Sequence, residues 1–157
     1  MESDITIYLE KRQLIKEKTG YEFSDIDLMK RAITRRDHIE KTKGIGKSKK
    51  SPLATLGDSV IKVIVLSRLL KDENNSAGDL SEEIKKYISR AAQTNKAQSN
   101  GFESLFIWSP NEQTMKVWEQ KKPLGECLET LIGGIFIDCE KIEKCEKALE
   151  KIDFFSI

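Results

Sequence analysis

The feature that most constrains this fold is an apolar run of eighteen residues, LATLGDSVIKVIVLSRLL, at positions 53–70. The run is too long for an ordinary strand, and its apolar residues occupy most sides of a helix. It therefore predicts a helix through the middle of an all-α domain. Charged and hydroxyl side chains interrupt the run, so it does not predict a membrane span. A chain of 157 residues can bury one core without a disulfide or metal, and we expect a single domain over residues 1–157.

Amphipathic segments flank this central helix. Apolar residues at helical spacing, helix-capping residues and glycines mark where the segments begin and end. The predicted helices cover residues 3–18, a short segment capped by Ser24, residues 79–98, residues 123–138 and residues 140–152. The least regular stretch is 101–122, where we expect a helical turn followed by a small hairpin or an irregular loop. Gly133 and Gly134 weaken the predicted helix over 123–138, which suggests that another helix approaches it closely.

Basic charge is concentrated in one segment of the chain. The net charge is only +1, but residues 30–50 hold nine Lys and Arg residues against two acids. Two glycines and the lack of apolar periodicity predict a loop over about 38–52. Exposed cations there would contact nucleic-acid phosphates without reading bases, and the alternative is a solvated loop with no binding role. The candidate contact residues are Arg35, Arg36, Lys41, Lys43, Lys47, Lys49 and Lys50.

Two groups of acidic residues lie in otherwise apolar helices. An ionised Asp58 in the central run costs several kcal/mol unless it is paired, hydrogen-bonded or bound to a metal, and pairing with Lys62 is the simplest solution. Glu126 and Glu129 share one helical face, for which solvent exposure is the simplest explanation. If this face instead meets Asp58, three carboxylates converge. Such an all-oxygen site favours Mg²⁺ or Mn²⁺ over zinc.

The cysteines and tryptophans carry no chemical signature. Cys127, Cys139 and Cys145 follow no CxxC or Cys/His ligand spacing, so they predict neither a disulfide framework nor a zinc site. A reducing, cytoplasmic setting fits them, and the absence of an apolar leader predicts neither secretion nor a membrane partner. Trp108 and Trp118 are expected to pack on the core rather than to stack on bases.

Four segments in this order resemble the ribonuclease III domain over roughly residues 17–150. They are GYEFSDIDLMKRAIT, LATLGDSVIKVIVLSRLL, DLSEEIKKYIS and GECLETLIGGIFID. LGDSV at 56–60 is similar to the signature helix of that family, and ECLETLIGG at 126–134 to its second acidic motif. The resemblance implies an all-α, ribonuclease III-like homodimer with two sites facing a common RNA-binding valley. It also implies Mg²⁺-dependent cleavage of double-stranded or structured RNA to 5′-phosphate and 3′-hydroxyl ends.

The resemblance also assigns site residues. Asp58 matches the signature aspartate, Glu129 the essential second-motif glutamate, and Glu126 a position usually held by aspartate. This implies catalytic and metal-binding roles for all three. The family pattern has a further glutamate four residues before the signature aspartate, where this chain has Ala54. Chains of the mini-ribonuclease III type are similar in having a small residue there.

The resemblance leaves two functions open. No C-terminal double-stranded-RNA-binding domain is expected, so RNA contact falls to the domain itself and its basic loop. The leading hypothesis is an endoribonuclease that processes structured RNA, with ribosomal RNA as one candidate substrate. The alternative is a non-catalytic RNA-binding or ribosome-associated module that keeps the fold, for which Ala54 is the main support. A helical interaction domain without an RNA role is a weaker third hypothesis.

Overall fold

The computed structural model describes residues 2–35, 51–72, 77–120 and 122–156. In chain order the helices are α1 (Glu2–Thr19), α2 (Ile26–Ile33), α3 (Pro52–Lys71), α4 (Ala77–Ile88), α5 (Arg90–Ser99), α6 (Pro110–Met115), α7 (Lys122–Cys139) and α8 (Ile142–Lys151). Within these ranges the regular structure is helical, with one isolated parallel β-bridge between Thr34 and Ile107. The predicted all-α fold is confirmed. Among these helices, none is long and apolar enough to cross a membrane.

The packing of α3 against α7 forms the centre of the molecule. A Cβ atom built on Gly57 would lie 1.7 Å from the carbonyl oxygen of Glu129, and one built on Gly133 would lie 2.0 Å from the carbonyl oxygen of Leu53. No side chain fits in either place, so the two backbones touch directly. The close approach predicted from the glycine pair in α7 is confirmed, because Gly134 also packs tightly, against Ala32 of α2.

The core surrounds this contact. Helices α3 and α7 are buried on several sides, as the apolar composition of both segments predicts. Their largest fully buried side chains include Ile61, Leu124, Leu128 and Leu131. Helices α2 and α8 cover them with buried apolar faces, whereas α6 contributes no buried residue. The central position of the 53–70 segment is thus as predicted.

The segment before α2 differs from the prediction in one detail. The N-cap is Asp25 rather than Ser24, and its carboxylate accepts a hydrogen bond from the backbone N–H of Leu28 at 3.1 Å. The backbone N–H groups of Ser24 and Asp25 donate instead to the carboxylate of Asp138, at 2.8 and 2.9 Å. The Tyr21 hydroxyl donates to the same carboxylate at 2.5 Å. Asp138 therefore fixes the start of α2 against the end of α7.

The predicted single helix over 79–98 is wrong, because the structure divides this region into α4 and α5. The break falls at Ser89, whose extended backbone conformation ends one helix and caps the next. Its hydroxyl accepts a hydrogen bond from the N–H of Ala92 at 3.2 Å. The new direction lets α5 pack against α7, which the amphipathic pattern alone does not indicate.

In the 101–122 region the expected helical turn is confirmed at Phe102–Ser104, whereas the alternatives that followed it, a small hairpin or an irregular loop, are wrong because a helix lies there. Two 3₁₀ turns, Phe102–Ser104 and Val117–Gln120, flank the short helix α6. Ser109 and Glu112 begin α6 with a reciprocal capping box, a motif readable from the sequence SPNE. Both tryptophans of this region pack on the core, as predicted.

We expect Asp138→Asn to destabilise the fold by about 1–3 kcal/mol at neutral pH, because three donors lose a charged acceptor. Desolvation opposes ionisation of Asp138, but the hydrogen bonds from Tyr21, Ser24 and Asp25 outweigh it and lower its pKa. A lowered pKa stabilises the folded state above the ordinary pKa of the carboxyl, and this stabilisation is lost as the pH falls through the lowered value. In urea unfolding, the difference in unfolding free energy between wild type and Asp138→Asn should therefore shrink below about pH 4.

The control is Glu17→Gln, which changes an exposed acid and should unfold like wild type. Equal stability of Asp138→Asn and wild type at neutral pH would contradict the anchoring role of Asp138.

Candidate active site

Two predicted site residues are positioned by the α3–α7 contact itself. Gly57 touches the backbone of Glu129, so Asp58, the next residue along α3, lies at the same level of the structure as Glu129 on α7. Glu129 is buried, with 8% of its surface exposed, whereas Asp58 is partly exposed. A buried carboxylate requires compensating partners. The helix contact therefore places the backbones of two acidic motifs at the same height, although the motifs are about seventy residues apart in sequence. It does not by itself bring their side chains into contact.

The Asp58 carboxylate forms an ion pair with Lys62 one turn further along α3. The lysine Nζ lies 3.1 Å from the carboxylate oxygen, and the side chains of Lys62 and Asp58 are 46% and 25% exposed. This is the simpler of the two arrangements considered for Asp58 from the sequence. Such i,i+4 pairs contribute only about 0.3–0.5 kcal/mol, so a stronger ligand could displace the lysine.

Glu126 lies one turn before Glu129 and is partly exposed. Its backbone carbonyl accepts a hydrogen bond from the Thr130 hydroxyl at 2.9 Å. Over the described parts of the chain, no three His, Cys, Asp or Glu side chains are grouped closely enough to hold a metal ion. The assignment of Asp58, Glu126 and Glu129 as a shared ligand set therefore stays a prediction.

Asp58 and Glu129 carry carboxylate oxygens, the donor type that hard divalent cations prefer, on two helices in contact. Ala54, one turn before Asp58, is fully buried and provides only a methyl group. The Cβ atom of a glutamate at this position would lie in the protein interior. The side of α3 that leads up to Asp58 is therefore apolar in this chain.

Arg35, predicted to contact RNA phosphate, is held inside the protein. Its Nε and Nη2 atoms donate to one carboxylate oxygen of Glu112 at 3.2 and 2.9 Å, and the two side chains are 12% and 13% exposed. The guanidinium also lies 5.5 Å from the ring centroid of Trp108. A phosphate contact by Arg35 would have to compete with this ion pair. The other predicted RNA contacts, Arg36, Lys41, Lys43, Lys47, Lys49 and Lys50, lie outside the described residues.

Arg35 also interacts electrostatically with α7, the helix that carries Glu126. Burial alone would lower the pKa of Arg35, but nearby groups that include Cys127, Glu112 and Glu126 raise it. Burial raises the pKa of Cys127 to about 12, so its thiol is uncharged near neutral pH and the two glutamates supply the negative charge. Sequence reasoning missed Glu112 altogether, although the capping-box motif marks it.

The helices that carry these acids correspond to a known domain. A model of the ribonuclease III domain matches residues 51–140, a stretch that contains α3 and α7 and more than half of the chain. The chain belongs to the ribonuclease III domain family. The resemblance drawn from the two acidic motifs is thereby confirmed at the level of the family.

Full-length relatives extend beyond the region that they share with this ribonuclease III domain. Ribonuclease 3 of Shewanella sp. (strain ANA-3) is 27% identical over 131 residues, which cover 83% of this chain and 54% of that protein. Ribonuclease 3 of Borreliella burgdorferi is 28% identical over 131 residues, with coverage of 82% and 53%. The chain thus spans about half the length of these relatives.

Solved structures share the fold of this ribonuclease III domain. Two structures of the nuclease domain of ribonuclease III from Campylobacter jejuni superpose with TM-scores of 0.76 and 0.75 at 24% identity. They cover 92% of this chain, and the chain covers 98% and 97% of theirs. One of these structures describes flexibility in a region of that protein involved in dimer formation.

We expect Gly57→Ala to destabilise the domain by about 3 kcal/mol or more, because its Cβ overlaps the Glu129 carbonyl and forces α3 and α7 apart. Ser59→Ala, on the exposed side of the same helix, should stay within about 0.5 kcal/mol of wild type. Urea unfolding measures both. A Gly57→Ala protein as stable as the Ser59→Ala control would contradict the direct backbone contact.

Proposed function

We propose that this domain is a Mg²⁺-dependent endoribonuclease that cleaves double-stranded or structured RNA, with Mn²⁺ as the alternative cation. The observation that carries the proposal is the α3–α7 contact, which holds Asp58 and Glu129 at one level inside the family-matched region. Membership of the ribonuclease III family supports nuclease chemistry on RNA. The products should carry 5′-phosphate and 3′-hydroxyl ends.

Asp58 and Glu129 would hold the cation, with Glu126 as a third ligand or as a residue that binds it through water. When bound, such an ion supplies electrophilic polarisation of a phosphate and a lowered pKa for a bound water. The protein's own part is to fix the acids: the glycine contact sets the spacing of α3 and α7, and burial restricts the motion of Glu129. The cations of the 36–50 segment would contact phosphates, which gives affinity without base specificity and a steep salt dependence.

We further propose that the domain forms a homodimer through the outer face of α3. Ile64 and Leu69 are 2% and 9% exposed and belong to the core. Val63 and Leu70 are 49% and 67% exposed, and Leu66 between them is partly exposed. Apolar side chains at this helical spacing form an outward stripe of the kind found at interfaces between subunits. The stripe begins beside Lys62, so a second subunit there would lie next to the candidate site.

We expect Leu70→Glu to shift the domain toward monomer, because a charge in an apolar interface is left desolvated. Sedimentation equilibrium should give roughly twice the 17.9 kDa chain mass for wild type and the single-chain mass for the variant. Ile5→Glu replaces a similarly exposed residue on α1 and should leave the wild-type mass unchanged. A dimer that survives Leu70→Glu, or a monomeric wild type, would refute this interface.

Activity is tested by incubating long double-stranded RNA with Mg²⁺ at low salt. We expect wild type to cleave and Asp58→Asn or Glu129→Gln to lose at least about 100-fold in rate, since each removes a charge needed in the transition state. Glu119→Gln changes an exposed acid beside α7 and should cleave like wild type.

The alternative function is a non-catalytic RNA-binding module, which is favoured by the buried Ala54. It predicts that RNA is bound but not cut with either Mg²⁺ or Mn²⁺. RNA that is neither bound nor cut at low salt would refute both functions.

A further inference from the structure

The ion pair between Lys62 and Asp58 places a positive charge directly on a predicted metal ligand. Lys62 Nζ lies 3.1 Å from a carboxylate oxygen of Asp58, well within the distance of an ion pair. Lys62 is about half exposed and Asp58 about one quarter exposed. The pair is therefore formed at the surface edge of α3, where solvent and ions can reach it.

We propose that Lys62 competes with the divalent cation for the Asp58 carboxylate and thereby weakens cation binding at this site. The inference rests on the proposed function, since it takes Asp58 as a cation ligand. An ammonium group and a metal ion are drawn to the same carboxylate oxygens. A lysine that remains nearby after displacement also repels the arriving cation.

The residues one turn to either side of Asp58 explain why the competition matters in this chain. Residues four apart lie on one helical face, so Ala54, Asp58 and Lys62 form a row along α3. This row offers one carboxylate, one ammonium group and one methyl group, and α3 holds no second acid to offset the charge of the lysine. The cation must therefore displace Lys62 with fewer negative charges in its favour.

The exposure of Lys62 makes it a reversible competitor rather than a block. Its side chain is a flexible four-carbon stem with a strongly hydrated charge, which water can accept when the carboxylate is taken. On the other side of Asp58, Ala54 is fully buried and neither competes with a cation nor binds one. Because the ion pair is partly exposed, added salt screens it and should reduce the effect of Lys62.

The proposal is tested by titrating the full chain with Mn²⁺ and following the free-ion EPR signal. We expect Lys62→Gln to bind Mn²⁺ about three- to tenfold more tightly than wild type, because it removes both the competing ligand and its charge. Lys62→Arg keeps the charge and should stay within about twofold of wild type. Lys71→Gln removes a charge from the same helix about 13.5 Å further along and should bind like wild type.

The Asp58→Asn variant tests whether Mn²⁺ binds at Asp58. We expect this variant to lose Mn²⁺ binding. Equal affinities of wild type and Lys62→Gln, with binding that depends on Asp58, would overturn the competition and leave the proposed function standing. Binding that is unchanged in Asp58→Asn places the ion elsewhere and overturns both, as does the absence of binding in wild type and Lys62→Gln alike. Thermal unfolding and sedimentation mass of each variant establish that fold and assembly are retained.

Discussion

The direct contact between the backbones of α3 and α7 is the constraint on which the rest of the structure depends. At Gly57 and Gly133 the helices approach more closely than any side chain permits, and this fixes both their separation and their relative height. Two glycines in helices lower intrinsic helix stability by about 2 kcal/mol, which the surrounding apolar packing must offset. The remaining helices are arranged around this pair. Asp58 and Glu129 thus derive their relative position from main-chain geometry.

The sequence predicts the two central helices because its signals there are strong and agree. A long apolar run and a second apolar segment indicate two buried helices, and the adjacent glycines of the second predict a close approach by another helix without saying which one. The peripheral errors have local causes. Ser89 interrupts an amphipathic pattern that continues through it, so periodicity gave no sign of the break. In the 101–122 region, apolar and aromatic residues suggested strands and obscured the capping box of α6.

The sequence predicts a set of candidate site residues but not their geometry. Spacing on one helix showed that Asp58 and Lys62 could pair, and the structure contains that pair. No pattern in one sequence, however, tells whether a side chain just after the end of α2 reaches one of α6. The ion pair between Arg35 and Glu112 joins residues 77 positions apart, and it withdraws into the interior a cation that its neighbours in sequence suggested for RNA binding. Local charge density therefore overstates the number of residues available to a ligand.

The cysteine between the two second-motif glutamates has a consequence for redox chemistry. Cys127 is fully buried in α7, and its raised pKa keeps it as the unreactive thiol rather than the thiolate. Peroxide or an alkylating reagent can modify it only when the helices around it separate transiently. The rate at which Cys127 is modified therefore reports how often the centre of the domain opens. The chain carries within its acidic motif a natural probe of its own local unfolding.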